Sequence, residues 1–166
     1  SIGGLVTRRS AAAGADTAIP DNIVGGVDTN LVFGLTTINA YYARTHTQGR
    51  TGRTGSYSGS YDYNGDRYGL TVLHLTTEPQ FSPEIGFLRR RGFHQENMSA
   101  RFSPRPKHLR GVRKLYFQGS VDHLTDMVSN RLDSRTIDAT FKGDLNSGDG
   151  FSTTVAHDRS EEHTSE

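Results

Sequence analysis

At 166 residues the chain has the length of one domain, and its near-balanced charge, +1 from 19 basic and 18 acidic side chains, supplies no field to steer it onto nucleic acid. The absence of cysteine excludes disulfide staples, thiolate metal sites and a thiol nucleophile. Only 33% of residues are hydrophobic and the mean hydropathy is −0.62, so no segment approaches the roughly 20 apolar residues of a spanning helix. A spanning strand needs only about 9 to 11 residues, half of them facing a polar lumen, and these numbers leave a membrane barrel open.

The chain begins at Ser1 without an initiator Met or a charged-then-apolar leader, so any targeting segment is expected to lie upstream or to have been removed. Ile2 to Arg9 reads as a short strand interrupted by glycine, followed by a long loop of small and turn-forming residues through Pro20-Asp21-Asn22. Val27, Thr29, Leu31 and Phe33 then alternate with Asp28, Asn30 and Val32, the period of a strand with one apolar and one polar face. Gly34 is the expected reversal. Ile38, Ala40 and Tyr42 form the next apolar row, which leads into a second polar loop around Thr47 to Arg53.

Tyr57, Gly59, Tyr61 and Tyr63 share one parity and Ser58, Ser60 and Asp62 the other. Asn64-Gly65, residues that tolerate positive φ, predict a tight hairpin there. On the returning arm Tyr68, Leu70 and Val72 keep one parity, while Leu73 and Leu75 fall on the other. Residues 78–92 are irregular, with Pro79 and Pro83 forbidding a central strand, and a loop of this length in a compact fold is usually functional or packed on itself. Further alternation follows in Met98, Ala100 and Phe102, in Leu115, Phe117, Gly119 and Val121, and in Ile137, Ala139, Phe141 and Gly143. After the turn at Asn146 to Gly150, Phe151, Thr153 and Val155 open a last strand.

The sequence therefore predicts an all-β, antiparallel up-and-down meander of about nine strands, with no helical period. Long loops after Arg9, Tyr42 and Leu75 alternate with tight reversals at Gly34, Asn64-Gly65 and Ser147-Gly148. Outer-membrane barrels share this asymmetry of ends. The apolar rows mix Tyr, Phe, Gly, Ala and Thr, while the opposite faces carry Asp28, Asn30, Asp62, Arg101, Gln118, Asp122, Asp138, Lys142 and Asp144. That suits a water-filled interior, with Tyr42, Tyr63 and Tyr68 placed for an interfacial girdle. Aromatic and β-branched residues populate any strand, and the pattern alone leaves a soluble antiparallel β-sandwich open beside the barrel.

The seven histidines show no helical zinc spacing and read as strand and loop residues rather than metal ligands. Gly55-Ser56-Tyr57-Ser58-Gly59 has the letters of a nucleophile elbow but lies within a strand, and there is no phosphate loop. No catalytic, cofactor or metal residue is expected. The candidate binding segment is the loop from Phe81 to Gly92, with Phe81, Glu84, Phe87, Arg89 and Arg90 as its candidate residues. Its charges could pair with one another, line a mouth that selects anionic solutes, or form ordinary surface. Phe81, Ile85 and Phe87 would anchor it over the lumen.

Tyr61-Asp62-Tyr63-Asn64-Gly65-Asp66-Arg67-Tyr68-Gly69-Leu70, the segment from Phe81 to Arg90, and Ala100-Arg101-Phe102-Ser103-Pro104-Arg105-Pro106, together with Gly26-Val27-Asp28, resemble the carboxy-terminal region of the bacterial DUF5916 family. In that family a domain similar to family 9 carbohydrate-binding modules precedes an expected outer-membrane β-barrel. The likeness covers residues 1–158 and implies a Gram-negative outer-membrane location, contact with membrane lipid, transport or surface binding possible for a saccharide, and a piece of a larger barrel whose remainder is missing. Some members are described as hydrolases, which keeps a barrel-borne hydrolase as a further alternative, although no catalytic residue maps onto this chain. Residues 159–166 break the alternation, resemble translated sequencing-adaptor read-through, and are set aside from the fold.

Overall fold

The computed structural model describes residues 1–10, 20–84, 88 and 90–160. Nine strands form in chain order: β1 (Ile2–Arg9), β2 (Asn22–Phe33), β3 (Thr36–Thr47), β4 (Gly55–Asn64), β5 (Tyr68–Thr77), β6 (Phe93–Phe102), β7 (Val112–Asp126), β8 (Leu132–Leu145) and β9 (Gly150–Ser160). They make one open antiparallel sheet in which each strand pairs with its sequence neighbours, and no helix occurs among the described residues. The meander read from alternation is thus the architecture, and a sandwich of two packed sheets is not. Arg159 and Ser160, set aside with the tail, instead pair with Arg135 and Ser134 in β9; residues 161–166 lie outside the described residues.

The connections run to twelve, two, seven, three and fifteen residues as far as β6, then to nine, five and four. The alternation of long and short loops is therefore clear over the first six strands and inverted after β6, where the nine-residue connection lies at the short-turn end and the five-residue one at the long-loop end. Gly34 turns with φ +57° and Gly148 with φ +97°, as expected of their reversals. The β4–β5 turn differs from the expectation, since neither Asn64 nor Gly65 adopts positive φ. Gly65 is needed there for space: a Cβ would sit 2.7 Å from the Tyr63 hydroxyl and 3.0 Å from the Tyr68 carbonyl oxygen.

Direct pairing places the alternating residues on two faces. One face carries continuous cross-strand rows such as Leu31, Ile38, Tyr61, Val72, Met98, Val121 and Ile137. Toward the short turns it ends in aromatic residues, with Tyr68, Phe102, Phe117 and Phe141 directly opposed and their rings stacked at centroid separations of 5.4, 6.3 and 5.0 Å. Toward the long loops it ends in Arg44, His74, Glu96, His123, Arg135 and His157. Tyr63 joins the aromatic end as expected, whereas Tyr42 lies one same-face position from Arg44, at the opposite end.

Burial follows the reverse of the ordinary soluble pattern. Phe117, Val121, Ile137 and Met98 are 46, 39, 38 and 55% exposed, while Asn97, Ser99, Ser120, Asp122, Asp138 and Thr140 on the other face are half-buried. Phe81 alone is a buried hydrophobic residue among the described ones, and the most enclosed side chains are Asn22, Thr45, Thr76 and Ser103. The interior is polar, and no described segment covers the apolar face.

Candidate functional site

The polar face is held by a lattice of side-chain hydrogen bonds running across strands. Asn30 donates to Asn39, whose own amide donates to Ser60 at 3.3 Å; the Thr71 hydroxyl donates to Asp62 at 2.8 Å. Gln95 and Asn97 both donate to one Asp122 oxygen, at 2.9 and 3.2 Å, and Ser120 donates to Asp138. Cross-strand pairs of this kind each contribute a few tenths of a kcal/mol to about 1 kcal/mol. Together they fix the side chains that line this face.

At the short-turn end, Lys114 is 9% exposed and its ammonium donates to the Asp66 carbonyl oxygen at 2.9 Å and to its carboxylate at 2.8 Å. The hydrogen bond from Lys114 holds the Asp66 carboxyl below the usual carboxylate range, and Arg105, at 2.8 Å, acts in the same direction against the opposing effect of desolvation. Arg101 seals the same turn, donating to Asn64 and the Gly65 carbonyl at 2.8 and 2.9 Å and to Ser103 at 2.8 Å.

At the long-loop end the β5–β6 connection reaches across the polar face. Its first part is stitched to β2 and β3: the Asn22 amide donates to the Ser82 carbonyl at 3.0 Å and to Thr47 at 2.8 Å, and the Ser82 N–H donates to Thr45 at 3.1 Å. Glu84 forms an ion pair with Arg9 on β1. The far part is tied to the β7–β8 hairpin, where Arg90 pairs with Asp133 and lies 3.7 Å from Asp126, and the Met127 N–H donates to the Gly92 carbonyl at 2.8 Å. Hydrogen bonding to Asp133 raises the Arg90 pKa beyond its already high value, so the guanidinium stays charged.

Between loop and sheet lies a cavity of about 310 Å³, lined mainly by Tyr41, Leu75, Phe81, Leu88, Arg90 and Phe93. This explains the parity break of Leu75 and Phe93, which are apolar residues on the polar face because the loop packs there. A pocket of this size, with aromatic walls and one fixed cation, has the makeup of a small-ligand site.

Of the expected site residues, Phe81 is buried at 6% exposure in this cavity, and Arg90 lines the same space. Glu84 stands at the loop's opposite attachment, so its charge is used in holding the loop to β1 rather than in pairing with Arg90. Phe87 and Arg89, like Ile85, lie outside the described residues. Asn22, Thr45, Arg9 and Asp133, which position the loop, carry no local signal; only their long-range pairing reveals them. Among the described residues no group of three or more His, Asp or Glu side chains is arranged to hold a metal ion. No protein-family model, curated protein or solved structure matches the chain.

Proposed function

We propose that this chain is a segment of an outer-membrane β-barrel of a Gram-negative bacterium, serving transport or surface binding of a small polar solute, with a saccharide as the favoured class. The observation that carries this reading is the polarity of the sheet: exposed Val72, Met98, Val121 and Ile137 on one side, and a hydrogen-bonded polar lattice on the other. In water such a sheet leaves its apolar area uncovered, whereas against lipid the same arrangement is favourable.

The drift of the apolar band supports the same reading. In the pairing register its aromatic edge moves from Phe33 and Tyr63 to Tyr68, Phe102, Phe117 and Phe141, then to Phe151, always toward the short turns. Its basic edge moves the same way, from Arg44 to His74, His123 and Arg135, then to His157. A band level with a membrane must cross the pairing rows obliquely when strands tilt, as barrel closure requires. From His74 to Tyr68 the band spans about 20 Å along the strand, less than the roughly 25 Å apolar height of such barrels, so the aromatic and basic rows would themselves occupy the two interfaces.

The loop cavity supports the solute class, because Tyr41, Phe81 and Phe93 offer flat apolar surfaces to the C–H faces of a sugar ring and Arg90 offers donors to its hydroxyls. The resemblance to the DUF5916 family points to the same saccharide context. The test is gel mobility and solubility: the chain is expected to require detergent and to show a heat-modifiable band. A monodisperse, detergent-free monomer with no heat shift would overturn the reading.

A further inference from the structure

Five of the chain's seven histidines, His46, His74, His94, His123 and His157, lie on the apolar face near its long-loop edge, a grouping hidden in the sequence. Within it, His74, Glu96, His123, Arg135 and Arg159 are directly opposed on five consecutive strands. Glu96 is the one acid in this row and lies 3.6 Å from His74. Arg135 has no carboxylate partner among the described residues, and its buried Nε has no hydrogen-bond acceptor. A guanidinium on an apolar face with an orphaned donor is a receptor for an anion, phosphate above all.

Directly below that row, on the apolar side, is a furrow of about 670 Å³. Ala100, Gly119 and Ala139, paired across β6, β7 and β8, form its floor, Met98, Val121 and Ile137 stand beside it, and His123 borders its upper end. It is open along the face and mostly apolar, with His74, Glu96 and His123 at its upper end and Arg135 paired with His123 just beyond. Its depth comes from the small residues, since the neighbouring row is aromatic.

We propose that this is a site for a phosphorylated membrane lipid, with an acyl chain in the Ala100–Gly119–Ala139 furrow and the headgroup phosphate on Arg135, assisted by His123. The site rests on the outer-membrane reading given above. It adds to that reading a specific lipid chemistry: a phosphorylated headgroup joined to an acyl chain. The polarity of the face sets the orientation, because Arg135 and the row of histidines lie at the long-loop edge and the stacked row of Tyr68, Phe102, Phe117 and Phe141 at the other.

The experiment uses the whole chain folded in dodecyl maltoside, with a fluorescent diphosphorylated lipid A and its dephosphorylated counterpart as probes, read by anisotropy. The wild-type chain is expected to bind the phosphorylated probe at least tenfold more tightly than the dephosphorylated one. Arg135→Gln is expected to reduce that preference by about fivefold, the contribution of one basic side chain at an anionic surface. Gly119→Leu is expected to weaken both probes while keeping the preference; a Cβ at Gly119 meets nothing closer than 3.8 Å, so the furrow can be filled without strain. Sodium pyrophosphate at equal phosphate concentration is expected not to compete, which separates a lipid site from a free-phosphate site.

Equal binding of the two probes by a chain with heat-modifiable β structure would overturn the lipid site and leave the barrel standing. Full competition by pyrophosphate, or no effect of Gly119→Leu on either probe, would likewise overturn it. Failure to fold in detergent at all would count against the barrel instead.

Discussion

Arg9 and Glu84 form an ion pair across 75 positions of sequence, joining the end of β1 to the middle of the β5–β6 loop. Their side chains are 31 and 23% exposed, so the contact is only partly screened by solvent. With Asn22 and Thr45 holding Ser82, it sets one end of the loop over the polar face while Arg90 sets the other. Glu84→Gln is expected to raise amide exchange in the loop's first half, by a factor corresponding to about 1 kcal/mol, and to leave strand exchange unchanged. Equal exchange in both proteins would show that the pair contributes nothing.

Phe81 anchors the same loop by burial. Phe81→Ala removes the one buried apolar side chain among the described residues and is expected to cost about 3 kcal/mol of loop docking. Limited proteolysis should then cut within residues 78–92 while the sheet stays intact. If the chain forms a conducting barrel, as proposed, the same change is expected to alter its single-channel conductance. A loop that resists cleavage and an unchanged conductance would together contradict the anchoring role.

The short-turn end carries a pH dependence of known sign. The Asp66 carboxyl titrates below its ordinary range because Lys114, and then Arg105, favour the charged form. A group with a depressed folded pKa stabilises the fold above its unfolded value, near pH 3.8, and that stabilisation is lost as pH falls through the folded pKa. Asp66→Asn is therefore expected to remove part of the acid sensitivity of this turn, read by NMR at the amides flanking it. Lys114→Met is expected to loosen this turn, since it removes the donor to both the Asp66 carbonyl and its carboxylate, and to reduce the acid sensitivity read at the same amides.

Gly143 and Phe151 are directly paired, and the Phe151 ring lies over the glycine where a Cβ would have to go. Gly143→Ala is expected to displace the ring and destabilise the β8–β9 pairing by about 1–3 kcal/mol. Gly59, where a Cβ would meet nothing within 4 Å, is the control: Gly59→Ala should be neutral or slightly stabilising. Comparable thermal shifts for the two substitutions would contradict the packing assigned to Phe151.

Local alternation made much of this fold legible. The parities of Val27 to Phe33, Met98 to Phe102 and Ile137 to Gly143 assign each residue to the face it occupies, because a period of two needs no knowledge of partners. Leu73 and Leu75 fall on the polar parity, for which the local pattern gives no reason, and Leu75 lines the cavity under the loop. The Asn64-Gly65 pair suggested a positive-φ turn, but the three-residue connection uses Gly65 for close approach. The row from His74 to Arg159 was not legible at all. Its members are separated by 12 to 27 residues, and only the register of β5 to β9 brings them into line. Glu84 and Arg90 were identified as site residues for their charge; their partners Arg9 and Asp133 depend on pairings that no local pattern encodes.

The central claim is that the face bearing Val121 meets lipid and the face bearing Ser120 does not. The chain has no tryptophan, so a single introduced one reports its own surroundings. With the chain folded into vesicles containing bromine-labelled lipid, Val121→Trp should be strongly quenched and Ser120→Trp, one residue away on the other face, should be quenched little and remain accessible to iodide. Equal lipid quenching at both positions, or stronger quenching at 120 than at 121, would contradict the account.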